Sequence, residues 1–459
     1  MFGWLKQLVG GNAPVAAPAR RFAPPSAAAS SVVVATAPAA VPSAVSSAGR
    51  SGFGIQRPLV GAQGRVAGFE FLLPPAVVQR LAARGDSVAH AAYSALLVGS
   101  MGSATRQGRS ALTELPASVL ARPGVCDQVS DGAWLCLPDL ADLPVDIAVR
   151  LRARGIHLGC SDGPPASAPA VDFVWLRASG DDVESLLLSA QRWQEARPRL
   201  PLLATALGAV EDIERVLKAG FALAGGQLDR RRSSANKPLN ATAHRICELL
   251  SRLSMDSDTA VVAEAVRADV ALSYRLLRYA NSPALGLTRG VETAEQAVQL
   301  LGRRELSRWL QMLLMSSAAS RQATAAMQEQ ALARGRLMEL LAGADTQTQE
   351  ATADSKASAG ALFSVGLFSM LETLLETPLA QALAPLRLSD AANQALLHGQ
   401  GPWAAHLQLA TALDSNDPAA AELVAARWGG IDAVQTLADA AWTWAAASVE
   451  AQDTKKPID

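Results

Sequence analysis

The 459-residue chain has almost no net charge: 41 Lys and Arg stand against 42 Asp and Glu, a formal balance of -1. So even a balance supplies no general attraction to nucleic acid or to anionic membranes. Cysteine is sparse. The four present, Cys126, Cys136, Cys160 and Cys247, lie far apart with no C-x-x-C pair. That spacing fits neither a zinc site nor a disulfide framework, and it points to a reducing, cytoplasmic compartment. No window offers the roughly 18 uninterrupted apolar residues needed to span a bilayer. Nucleophile and phosphate signatures are missing as well: there is no Gly-x-Ser-x-Gly elbow, and Gly225-Gly226 lacks the spacing and the Lys-Ser or Lys-Thr ending of a phosphate loop.

What is present divides the chain. Half of its residues are hydrophobic, enough for sizeable cores, and the length predicts two or three domains. Residues 1–11 form a short amphipathic segment, about two turns if helical and marginal alone. Residues 12–50, rich in Ala, Pro, Ser and Val, read as a disordered tether. From residue 52 to 235 short apolar runs alternate with helical stretches. Val66 to Leu73, Trp134 to Leu137, Ile156 to Leu158, Phe173 to Leu176 and Leu202 to Thr205 read as strands. Ala76 to Arg84, Asp146 to Arg154, Val183 to Arg197 and Ala209 to Ala219 read as helices, and Gly155 and Gly220 suit C-terminal caps feeding strands. Such succession predicts a parallel sheet, open or closed into a barrel.

The period changes after Arg230-Arg231-Arg232 and Lys237, a basic run expected to be a solvated hinge. Residues 238–449 are expected to be almost wholly helical, with Leu249, Leu250 and Leu253, then Leu272, Leu276 and Leu277, recurring at helical spacing. Residues 344–360 read as a long loop, and 450–459 as a flexible tail. Trp403, Trp428, Trp442 and Trp444 are expected to anchor the core among alanine-rich helices.

The stretch Asp269 to Ser282, in which an apolar helix ends in Asn281-Ser282, resembles the signature of HDOD domains. Val291-Glu292, Ala294, Gln296-Ala297, Leu300 to Gly302 and Trp309 extend the likeness. The resemblance implies a helical signalling and interaction module that lacks the metal-binding residues of the related phosphohydrolases. The residues themselves agree, because metal hydrolysis needs several His and Asp side chains converging on one cavity. This half holds only His244, His398 and His406, none in a His-Asp pair; all three are expected at helix flanks, on surfaces or in loops. Asp269, Ser273, Tyr274, Arg275, Asn281, Ser282, Gly302 and Trp309 are the signature positions. Polar groups in so apolar a helix need defined partners, with Asp269 opening the helix and Asn281 capping its end.

The first half resembles EAL-domain phosphodiesterases, which cleave cyclic di-GMP with two metal ions in a TIM-type barrel. The likeness runs through Arg57-Pro-Leu-Val60 and Gly64 to Glu70, with Phe69-Glu70-Phe71-Leu72 in place of the Glu-Ala-Leu strand. Hard divalent cations need several carboxylates, yet the positions the resemblance marks are mostly altered. Glu70 remains, Pro74 replaces an arginine, Thr113 an asparagine and Cys136 a glutamate. Ser161-Asp162 stands for an Asp-Asp pair, Trp175 for a lysine and Thr205 for a glutamate. His157 with Ser161 outlines a nucleophile and base, but decay of the Asp-Asp pair accounts for the serine better. Since a full barrel takes about 250 residues, an eroded or incomplete barrel is expected.

The resulting expectation is a degenerate EAL-like α/β barrel fused to an all-α HDOD bundle in a bacterial signal transduction protein. It acts on an unidentified protein partner, with no catalytic residue, no metal, no cofactor and no nucleic acid. The alternatives are a sensor that binds cyclic di-GMP weakly without hydrolysis, and a residual phosphodiesterase.

Overall fold

The computed structural model describes residues 53–161, 170–179, 182–233, 236–254, 259–281, 291–317, 321–344, 353–415 and 417–453. The 1–11 and 12–50 segments and the end of the tail, 454–459, lie outside them, as do Asp162 and Ser282. Eight strands close into a barrel in sequence order: β1 (Ile55–Gly61), β2 (Val66–Leu72), β3 (Ser110–Glu114), β4 (Trp134–Cys136), β5 (His157–Ser161), β6 (Phe173–Arg177), β7 (Leu202–Leu207) and β8 (Leu223–Gly226). The barrel is complete, which corrects the expectation of an incomplete one. Economy comes instead from short connections: the β3–β4 crossover uses helices of only four residues each, Ala117–Leu120 and Pro123–Cys126. Gly155 and Gly220, with φ of +72° and +93°, make the turns that feed β5 and β8, a conformation that costs glycine little.

Strand β1 runs antiparallel to both its neighbours, β2 and β8, while β2 to β8 are parallel. A tight hairpin joins β1 to β2, so no crossover helix covers their outer face. The helical half covers it. Phe69 on β2 is 2 % exposed and meets the edge of Trp442 at a ring separation of 5.2 Å. Arg109 lies over the Phe69 ring and donates to Glu329 at 2.5 Å. At the hairpin tip Gly64 has φ +70°, and a Cβ there would stand 1.6 Å from the Gln322 carbonyl oxygen; the Gly64 carbonyl accepts from Ala326 N–H at 3.0 Å. Only glycine allows that approach.

The basic run stays exposed at Arg230, Arg232 and Lys237 but is tied down by specific partners. Arg232 Nε donates to both oxygens of Asp212 at 2.7 and 2.9 Å. Lys237 N–H donates to the Glu376 carbonyl at 2.8 Å, and the Lys237 carbonyl accepts from Thr377 Oγ1 at 2.7 Å. Beside them Arg321 contacts Glu211, Glu214 and Glu376 at 3.2 to 3.3 Å. Tertiary carboxylates pin charges that the sequence leaves without partners.

Residues 344–360 are likewise not one long loop. Helix Ala353–Phe368 follows helix Thr324–Ala344 after 345–352, which lie outside the described residues. The two helices cross closely: a Cβ on Gly366 would lie 2.8 Å from Gly335 Cα, and one on Gly335 2.8 Å from the Phe363 carbonyl. Small residues let the backbones approach, and the Ala-rich sequence favours helix once that packing exists. Trp428 and Trp442 are buried, while Trp403 and Trp444 pack partly buried against the core.

Two outcomes follow. Gly64→Ala combines a strained φ with a backbone clash and should lower stability by about 2–4 kcal/mol in urea unfolding; a loss below 0.5 kcal/mol would contradict the hairpin docking. Burial alone would raise the Glu211 and Glu376 carboxyls. The partners win: Arg232 N–H and Arg321 for Glu211, Lys237 and Arg321 for Glu376, both held below the usual range. A depressed folded-state pKa contributes stability that is present above the unfolded value of about 4.3 and lost as pH falls. Acid unfolding below about pH 4.5 should therefore be blunted in Arg321→Met, and an unchanged acid limb would exclude this cluster as its source.

Candidate functional site

Strand register decides which side chains enter the barrel. Leu59, Leu112, Cys136, Phe173, Trp175, Leu203 and Leu223 form a cluster separate from the main core, one residue or two from each of six strands, and fill the interior. Alternation then turns Val174 and Leu176 outward to the helices. In register with the interior set, Glu70 stands opposite Arg57 and beside Leu112, Glu114 beside Cys136, Ser161 beside Trp175, and Arg177 beside Thr205. All lie toward the C-terminal ends of the parallel strands, the end at which such barrels carry their sites.

This register moves one expected residue out and adds three. Thr113 faces away from the interior and donates from Oγ1 to the Phe71 carbonyl at 2.8 Å; Glu114 takes the inward place. Arg57 and Arg177, which sequence reasoning passed over, face in with it. Their sequence signal was spacing, two residues before interior Leu59 and two after Trp175. Pro74 is buried and opens helix Pro75–Arg84 as its N-cap.

At the mouth Trp175 is 1 % exposed. Its Nε1 donates to Thr205 Oγ1 at 2.8 Å, and the Arg177 guanidinium lies 4.0 Å from its ring centroid. Arg177 also pairs with Glu114 at 2.8 Å. Glu70 is fully enclosed, and burial pushes its carboxyl up against the opposing pull of Arg57 and Arg177. Burial lowers Arg57, whose Nε and Nη2 are enclosed without a hydrogen-bond partner. The Cys136 thiol is pushed up by burial, with Glu114 adding to the effect, so it stays protonated at neutral pH and is a poor nucleophile. His157 stacks on Trp134 at 4.5 Å, and four strand residues, about 13 Å, separate it from Ser161. The pair cannot act as nucleophile and base.

In the helical half Asp269 accepts from Ala271 and Leu272 N–H, both at 3.0 Å, at the start of helix Val270–Ala280. Ser273 Oγ donates to the Val266 carbonyl at 2.9 Å. At the other end Asn281 Nδ2 donates to the Leu277 and Val291 carbonyls, and its Oδ1 accepts from Val291 N–H at 2.7 Å. Gly302, with φ +67°, breaks the helical run Ala294–Ser316. Trp309 is buried beside Tyr279, while Tyr274 and Arg275 are exposed. Asp269 and Asn281 thus fix the two ends of helix Val270–Ala280. His244 and His398 lie exposed on helices. His406 corrects the expectation of a surface position: it is 5 % exposed and packs edge-on to Trp428 at 5.0 Å. Among the described residues no three His, Cys, Asp or Glu side chains are grouped to hold a metal ion, and no helix is long and apolar enough to cross a membrane.

Comparison with known proteins places these features. The chain is 29% identical over 223 residues to the uncharacterized protein YuxH of Bacillus subtilis, covering 48% of this chain and 52% of that one. It is 26% identical over 221 residues to the cyclic di-GMP phosphodiesterase CdgJ of Vibrio cholerae, covering 48% and 49%. The chain thus spans about half the length of the curated relatives it matches. An EAL domain protein from Listeria monocytogenes is similar at 12% identity and a TM-score of 0.30, covering 40% of this chain and 88% of that one. The HDOD domain model matches residues 237–397. Residues 237–397, which begin where the basic run is pinned and contain the Asp269–Asn281 frame, are an HDOD domain.

Proposed function

We propose that this chain is a non-catalytic component of bacterial cyclic di-GMP signalling, in which a degenerate EAL-like barrel serves as scaffold and the HDOD domain acts through protein contacts. Its domains are then a barrel over 52–235 and the helical unit over 238–449, and its free cysteines suit the cytoplasm. The observation that carries the reading is the Glu114–Arg177–Trp175 arrangement. Two-metal phosphodiester cleavage requires anionic oxygens free to hold two divalent cations and a deprotonated bridging water. Here Glu114 is already paired with a guanidinium, Glu70 faces another, and the Trp175 indole fills the space between strands. Two fixed cations would repel the incoming metals, and burial favours the protonated form of Glu70. The residues present do not fit a binuclear site. The name of the Vibrio cholerae relative supports the signalling context.

In this reading Asp269, Ser273, Asn281 and Gly302 hold the HDOD frame, Trp309 packs it, and exposed Tyr274 and Arg275 are available to a partner. One observation favours the sensor alternative: the enclosed Nε and Nη2 of Arg57 lack an acceptor, and such a side-on pair matches a phosphate.

Incubating the full chain with cyclic di-GMP and Mn²⁺ should release no linear dinucleotide. Turnover abolished by Glu70→Gln would overturn the reading. Calorimetry with cyclic di-GMP should be flat; heat that survives chelation and disappears in Arg57→Met would instead establish the sensor.

A further inference from the structure

The seam between barrel and helical half contains a buried polar pocket that the functional reading does not use. Gln56, on β1, points away from the barrel interior, since its neighbours Ile55 and Arg57 alternate with it, and it is 9 % exposed. It lines a cavity of about 20 Å³ together with Arg334, Leu413, Asp414, Gln435 and Trp442. Gln435, on helix Ile431–Asp453, is 2 % exposed. Two amide atoms here have no hydrogen-bond partner: the acceptor Oε1 of Gln56 and the donor Nε2 of Gln435. They come from opposite sides of the seam and have opposite polarity.

Leaving both unsatisfied would cost about 1–3 kcal/mol each. Beside them Arg334, whose side chain is 1 % exposed, donates to Asp414 at 2.7 and 2.9 Å, to Asp229 at 2.6 Å and to Ser369 at 2.9 Å. Four of its five N–H groups are engaged in this way, and Gln56 Oε1 remains without a partner beside it. A water molecule needs a cavity of about 10–15 Å³ or more and two to four polar partners. This cavity meets the size, both glutamines line it, and their open atoms have complementary roles.

We propose that the cavity between β1 and the C-terminal helix is a binding site for one structural water molecule, which donates to Gln56 Oε1 and accepts from Gln435 Nε2. The water joins the barrel to the helical half at the point where Arg334 joins Asp229, just past β8, to Asp414 at the end of helix Ala404–Asp414. The seam therefore carries polar links at defined points within an apolar contact, which holds the halves in one register. The inference does not depend on the functional reading.

A crystal structure of the full chain at about 1.5 Å should show a well-ordered solvent peak within hydrogen-bond distance of both amides. An empty cavity, or the two amides bonded directly to each other, would overturn the site. Unfolding of full-length variants gives an independent reading. Gln56→Leu and Gln435→Leu should each lower the folded-to-unfolded ratio about tenfold by orphaning the remaining amide and its water. The double variant should lose no more than either single one, because both partners are then apolar. A roughly hundredfold loss in the double variant, the product of two independent effects, would count against a shared water.

Discussion

An antiparallel first strand constrains everything else in this molecule. A parallel barrel normally covers each strand with the helix that leads to the next, but a hairpin between β1 and β2 leaves no room for one. The outer face of that hairpin carries Phe69 and Phe71, both 2 % exposed in the whole chain. Exposed as a bare patch they would invite association. The helical half supplies the missing cover with Trp442, with the 321–326 segment against Gly64, and with Glu329 against Arg109. The barrel and the helices are therefore not beads on a string. The polar knots at Arg321 and Arg334 set their register, and the apolar contacts supply the bulk of the burial.

The same economy shapes the mouth of the barrel. At the mouth, Glu114 is held in an internal ion pair and Glu70 lies opposite Arg57 on the neighbouring strand. Arg177 serves twice, as the partner of Glu114 and as a lid on Trp175. The cost falls on Glu70 and Arg57, which burial pushes toward their neutral forms from opposite directions. Tyr274 and Arg275 of the HDOD domain, by contrast, are exposed.

Much of this was legible in the residues. Strand and helix alternation up to residue 235 and helical periodicity beyond it both survive in the structure, because one-dimensional patterning is what specifies them. The barrel site was legible only in part. Ser110–Glu114 places Leu112 and Glu114 on one face and Ala111 and Thr113 on the other, and a shift of one residue in a short strand exchanges the two sets. Sequence alone set Thr113 at the site and left Glu114 out. Arginines 57 and 177 were not singled out as site residues for a different reason: the sequence does not show which carboxylates the strands bring beside them. The partners of the basic run were hidden in the same way, since Asp212 and Glu376 are distant in sequence. His406 was taken for a surface group because nothing in its alanine-rich helix announces the Trp428 ring that covers it.

The central claim is that the protein's own guanidinium groups hold the place that divalent cations would need. Anomalous diffraction from crystals of the full chain equilibrated with Mn²⁺ tests it most directly. The account predicts no anomalous peak between Glu70 and Glu114, with the Arg177–Glu114 pair unbroken. Two peaks bridging those carboxylates, with Arg177 displaced, would contradict it.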